Sequence, residues 1–188
     1  QSANFSYGKD IFISLDCAAS EFFDGRNYIL NATDETFSSD GLIDYYVKLI
    51  KKFDIKSIED PLHEDDWDGW IKLTRELNGV QIVGDDIFVT QRELLKKGID
   101  SHAGNAILIK PNQVGTLTES LESIQLAKEN KFNTIISHRS GETEDPFIAD
   151  LAVGVDAKQI KTGAPSRSDR NSKYNRLLII ENELYPKK

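Results

Sequence analysis

The chain has 188 residues, of which 29% are charged and 39% hydrophobic, with a formal net charge of -8 and a pI near 4.9. This is the balance of a soluble globular domain long enough to bury a substantial core, and its acidity argues against general nucleic-acid binding. No run of eighteen apolar residues is present to span a membrane, and the single cysteine, Cys17, excludes an internal disulfide and suits buried packing in a reducing compartment.

Taken in order, six short apolar runs each deliver an ionisable residue. IFISL ends at Asp16, and GLIDYYVKLIKKF from Gly41 then carries apolar residues at three- and four-residue intervals, the period of a helix. KSI ends at Glu59, followed by Asp60 and Pro61; Asp65 and Asp66 suit the N-terminus of a helix over DWDGWIKLTREL. VQIVG ends at Asp85 and Asp86 before a helical TQRELLKKG from Thr90. AILI ends at Lys110, and Pro111 fits a strand leaving its sheet before the helical TLTESLESIQLAKEN from Thr116. TIIS ends at His138, with Arg139 and Ser140 next, before the helical FIADLAVGV from Phe147; KQI ends at Lys161. His63 and His102 fall away from strand ends and read as solvent-exposed, while Trp67 and Trp70, three apart on a helix, read as packing groups.

Strand then helix, repeated, implies a parallel sheet, either open and doubly wound or closed as a (β/α)8 TIM barrel. An open sheet would gather ligand groups at one switch point, whereas here nearly every strand end supplies one, which favours the barrel. Neither GxGxxG nor GxxxxGK[ST] is present to cradle a nucleotide phosphate. A barrel needs eight strands and typically about 250 residues, so six strands leave it two units short. With a first residue of Gln1 and no methionine, the expectation is a single domain over residues 1–188, the C-terminal six βα units of a larger barrel protein. Such an incomplete barrel carries two strand edges and an apolar interior needing cover.

The strand ends carry chemistry. Adjacent strands lie about 4.8 Å apart, so Asp16, Glu59 and Asp85 can converge, and three hard oxygen donors suit Mg²⁺. Each carboxylate taken singly is better explained by capping the next helix than by a metal; three at equivalent strand ends point to a metal. Lys110, His138, Arg139 and Lys161 make the other side of the mouth cationic. A lysine among cations has its charged form disfavoured, which suits Lys110 to act as a base. Arg139 and Ser140 suit an anion clamp. Together these groups suggest proton abstraction beside a carboxylate whose developing charge is held by a metal.

In the same order, SLDCAASEF, SIEDP with EDDW, QIVGDD, LIKPNQVGTLTE, SHRSGETED, FIADLAVG and QIKTGAP with SRSDR and KYN resemble the C-terminal barrel of the enolase family, from about Asp10 to Leu184. The resemblance implies Mg²⁺-dependent, reversible dehydration of 2-phosphoglycerate to phosphoenolpyruvate, a cytoplasmic glycolytic reaction. By matching position, Asp16, Glu59 and Asp85 are similar to the ligands of the first Mg²⁺, with Glu59 and Asp85 also facing substrate. Lys110 matches the base at C2, and Lys161 the lysine beside the substrate carboxylate. His138 matches the residue near the leaving group, and Arg139 and Ser140 the positions that hold phosphate. In the family, the glutamate that protonates the leaving hydroxyl, a histidine-bearing loop and the second metal's ligand come from N-terminal parts that nothing before Asp10 matches. The chain is therefore expected to be inactive or nearly so alone, and the full-length protein to be a homo-oligomer. Two other readings remain at this point. One is a surface protein binding plasminogen through the terminal Lys187 and Lys188. The other is a superfamily member acting on a non-phosphorylated acid.

Overall fold

The computed structural model describes residues 3–186. Its main sheet has six strands, β1 (Ser14–Asp16), β4 (Ser57–Glu59), β5 (Gln81–Gly84), β6 (Ala106–Ile109), β7 (Asn133–Ser137) and β8 (Gln159–Lys161), paired in that order and all parallel. The helices are α1 (Ser39–Phe53), α2 (Trp67–Glu76), α3 (Arg92–Ser101), α4 (Pro111–Val114), α5 (Leu117–Glu129), α6 (Phe147–Gly154) and α7 (Ser168–Leu184). An antiparallel hairpin, β2 (Tyr28–Leu30) with β3 (Glu35–Phe37), interrupts the path from β1 to α1. The six expected strands are present and end where the ionisable residues stand. The hairpin and α7 are additions to the reading of the sequence.

Local chemistry sets the helix starts. The side chains of Ser38, Asp66 and Thr116 accept the backbone N–H groups of Gly41, Gly69 and Glu119 respectively, satisfying donors that have no partner inside α1, α2 and α5. Thr116 also donates to Glu119 at 2.5 Å, closing the cap from both sides. Pro111 opens α4 at a position where its missing N–H costs nothing.

Strand residues alternate between two apolar layers. Ile58, Ile82, Ile107, Ile109 and Ile136 face the helices and join one large core with Leu42, Leu73, Leu95 and Trp70. Val83, Ala106, Leu108 and Ile135 form a second cluster on the opposite face, the side that a barrel encloses. Trp67 and Trp70 flank Phe88 at 6.4 Å centroid distance, as packing groups. His102 is exposed, but His63 is only half-exposed: its ring lies 4.6 Å from that of Phe23, because the β2–β3 hairpin brings an aromatic cluster over it. Cys17 is likewise partly buried, beside Tyr46, and burial pushes its thiol up to about 11.

The sheet is strongly curved. Laid flat, β1 and β8 would stand roughly 24 Å apart, five strand spacings. Instead the Lys161 ammonium on β8 reaches Asp16 on β1 at 2.7 Å and Glu59 on β4 at 2.8 Å. At the opposite end, the Gln81 and Gln159 side-chain amides exchange two hydrogen bonds of 3.0 Å, and Asn133 donates to Gln81 at 2.9 Å. The sheet is thus an incomplete TIM barrel with a polar floor, an apolar wall and a charged mouth. Lys187 and Lys188, on which the plasminogen reading rests, lie outside the described residues.

Candidate active site at the strand ends

Register places the charged groups at one level. Asp16 stands opposite Glu59 and Ser137 opposite Lys161, and the backbone N–H of His138 donates to the Lys161 carbonyl at 3.0 Å. The mouth opens into a hollow of about 740 Å³ lined by Asp16, Glu59, Lys161, Val83, Ile135 and Gln159. A larger hollow of about 860 Å³ lies on the outer surface of α5, around Leu121 and Gln125, but holds none of the strand-end groups. The first of these is lined by Asp16, Glu59 and Lys161, while Asp85, Lys110 and His138 stand outside its lining.

Around this mouth the three acids stand on adjacent strands, β1, β4 and β5, and Lys110, His138 and Lys161 follow at the ends of β6, β7 and β8. Lys161 bridges Asp16 and Glu59, and Lys110 donates to Asp85, whose other oxygen accepts from Gln113 at 3.2 Å. Burial raises the Glu59 pKa; Lys161 opposes this, and Asp16 and Asp85 add to it. Burial alone would lower the Lys161 pKa, but its bonds to Asp16 and Glu59 outweigh burial and raise it, so its ammonium is the stable form. The first partner of Lys110 is therefore a carboxylate, where a surround of cations was expected.

Among the described residues, the acidic oxygens that all fall within 4.8 Å of one another are those of Asp60, Asp85 and Asp86. Asp60 is committed to structure: its two oxygens accept the backbone N–H groups of Asp85 and Asp86, each at 2.9 Å. Burial is the largest influence on Asp60 and pushes its carboxyl up to about 8 despite those donors. Asp16, Glu59 and Asp85 offer hard oxygens on three successive strands, the donor chemistry of a hard divalent cation, but the expected convergence of these three is not seen: they are held by Lys161 and Lys110 and do not form such a group among the described residues.

Arg139 and Ser140 lie on the exposed rim, and Arg139 Nη1 donates to Asn112 Oδ1 at 3.1 Å across the mouth. His138 is half-buried; burial first, then the Arg170 charge, lowers its pKa.

Two residues that sequence reading left without a role, Thr90 and Arg170, hold these groups in place. Buried Thr90 accepts the Lys110 backbone N–H at 2.9 Å and donates to Gln113 at 2.6 Å, so that it orients both partners of Asp85. It does so from a left-handed turn, Val89 at φ 40° and Thr90 at φ 61°, that β-branched residues rarely adopt. Arg170, on α7, meets the His138 loop. A left-handed φ for two β-branched residues has no sequence signature; the buried arginine stands in SRSDR, a block that carries no pattern of its own.

A curved parallel sheet whose C-terminal strand ends set three carboxylates beside lysines defines the class, an incomplete TIM barrel with charged groups at its mouth. Residues 2–187 match the family described as "Enolase, C-terminal TIM barrel domain". The chain is also 51% identical over 186 residues to the curated "Enolase" of Natranaerobius thermophilus, an alignment covering 98% of this chain and 44% of that relative. The chain belongs to the enolase family. It spans less than half the length of the curated relative it matches.

Proposed function

We propose that this chain carries the proton-abstracting part of an enolase active site, for the reversible dehydration of 2-phosphoglycerate to phosphoenolpyruvate and water. The observation that carries this reading is the pairing of Asp85 with Lys110 and of Asp16 and Glu59 with Lys161 around one mouth. Family membership supports it. A glycolytic, cytoplasmic setting follows from the reaction, and residues 1–188 form one domain, the C-terminal portion of a longer, homo-oligomeric barrel protein.

In this reading Asp16, Glu59 and Asp85 hold Mg²⁺. When bound, the ion supplies positive charge that stabilises the carboxylate of the substrate as charge builds on it. Lys110 takes the C2 proton, and the C–H electron pair moves toward the substrate carboxylate. Lys161, protonated through its contacts with Asp16 and Glu59, stands against that developing charge. Arg139 and Ser140 hold the phosphate, with the planar guanidinium suited to two phosphate oxygens. His138 lies near the leaving hydroxyl: the electron pair returns from the carboxylate to form the C2–C3 double bond as the C3–O bond breaks, and the hydroxyl departs with a proton as water. The acid delivering that proton belongs to residues outside this chain, a loss worth about a hundred- to ten-thousand-fold.

The test is phosphoenolpyruvate formation from 2-phosphoglycerate with Mg²⁺ by this chain, by the full-length protein and by its Asp85→Ala variant. Turnover by the full-length protein alone is expected. Turnover by this chain would contradict the missing-acid reading, and turnover by Asp85→Ala would contradict the metal assignment.

A further inference from the structure

His138, Arg139 and Ser140 are held from behind by one side chain. Arg170, buried on the first turn of α7 and 32 residues beyond His138, brings Nη1 within 2.5 Å of His138 Nδ1. The same Nη1 donates to the Arg139 carbonyl at 2.9 Å, and Nη2 donates to the Ser140 carbonyl at 2.9 Å.

The donor inventory makes this contact informative. A guanidinium has only N–H donors and does not lose its proton in proteins. The short contact to Nδ1 therefore requires that nitrogen to accept with its lone pair. The ring proton of neutral His138 must then sit on Nε2, and a second proton on Nδ1 would point an N–H at an N–H beside a fixed cation.

Neighbouring groups hold the arginine in turn. Gly163 stands at φ +83°, and a Cβ there would come within 2.9 Å of the Arg170 Cδ, so the chain at Gly163 leaves room for the arginine stem. Lys173, fully buried and one turn further along α7, donates to the carbonyls of Thr143 and Asp169 and anchors the far end of the same loop. Tyr174 donates to the Gly163 carbonyl at 2.5 Å.

We propose that Arg170 is a positioning residue that fixes His138 as the Nε2–H tautomer and sets the backbone of Arg139 and Ser140, so that one buried cation aligns the phosphate-holding and leaving-group side of the site. The catalytic consequence rests on the enolase reading above; the tautomer does not. His138 then serves as a neutral hydrogen-bond donor and not as a proton acceptor at Nδ1. The charged groups facing it are Arg170 from α7, Glu142 from its own loop, Lys161 from β8 and Lys110 from the end of β6.

Nitrogen NMR of the His138 ring in the full-length wild-type protein tests the geometry without any substitution. A protonated Nε2 with a bare Nδ1 at pH 7 is expected. A protonated Nδ1 or an imidazolium overturns the proposal. Arg170→Lys keeps charge but loses the fork, so it should lower kcat/KM for 2-phosphoglycerate about 10- to 100-fold, the scale of a small misplacement of reacting groups. It should also move the His138 titration up. Arg170→Ala should recover activity and the nitrogen signature when guanidinium is added. Wild-type turnover and an unchanged His138 spectrum in Arg170→Lys would overturn the positioning role. Absence of 2-phosphoglycerate turnover in the wild-type full-length protein, with the Nε2–H signature present, would instead remove the enolase reading and the catalytic consequence while leaving the tautomer assignment standing.

Discussion

Thr90 shows how one buried hydroxyl can organise a site it does not enter. Its oxygen accepts the Lys110 N–H and donates to Gln113, and its strained backbone is kept by a 2.6 Å hydrogen bond from Ser123 to its carbonyl. Replacing it isosterically, Thr90→Val, leaves that N–H and the Gln113 carbonyl without a partner. The expected loss is about 1–3 kcal/mol, the cost of unpaired buried polar groups, read as a lower urea midpoint with unchanged slope. A second residue-scale expectation concerns pH. The His138 pKa is lowered in the fold by burial and by Arg170. Between that lowered value and the ordinary histidine range the unfolded chain holds a proton the folded one lacks, so stability is full above about pH 6.5 and falls as pH drops below it. Urea midpoints measured across that range should fall less in His138→Gln than in the wild type.

The elements differ in how openly the sequence announces them. Each strand of the main sheet was legible because a β-branched run stops at a charged residue: Ile135-Ile136 before His138, Ile107-Leu108-Ile109 before Lys110. The helix α7 was not, because the face it buries is polar. Asp169, Arg170 and Lys173 are buried with Ile180, while Leu178 and Ile179 are 63% and 51% exposed. A search for an apolar stripe cannot find a helix whose inward groups are charged, with Arg170 and Lys173 donating to loop carbonyls. The hairpin escaped for another reason, since its two strands have three residues each, too few for alternation to register. Arg170 was hidden with its helix, so the strand-end residues were readable and their support was not. Packing between elements yields a test as well. Gly98 in α3 faces the Phe88 ring, and a Cβ there would lie 2.4 Å from its Cε1. Alanine improves helix propensity by about 1 kcal/mol, but overpacking a close-fitted core costs about 1–3 kcal/mol. Phe88 is held by Trp67, Trp70 and Phe132 and has little room to retreat. Gly98→Ala should therefore lower the melting temperature despite the better helix former.

At the scale of the whole molecule, curvature does what no single strand can. It folds a sheet of parallel strands until its two edges face one another, bringing Lys161 to Asp16 and enclosing the wall of Val83, Leu108 and Ile135. Both edges, β1 and β8, remain open to pairing within the described residues, and Tyr7, Ile11, Phe12 and Ile13 leading into β1 are all more than a third exposed. Open edges beside exposed apolar residues favour association. Sedimentation velocity on this chain should show association that grows with concentration and is weakened by Phe12→Lys; a monomer at every concentration would mean the edges are self-protected.

The central claim is that Lys110, braced against Asp85 at this mouth, removes the C2 proton. The most direct measurement is exchange of that proton of 2-phosphoglycerate with deuterated solvent, followed by proton NMR in the Mg²⁺-loaded full-length protein and in Lys110→Ala. Exchange in the wild type and its loss in the variant, with 2-phosphoglycerate still bound, is the expected result. Exchange persisting at the wild-type rate in Lys110→Ala would place the base elsewhere.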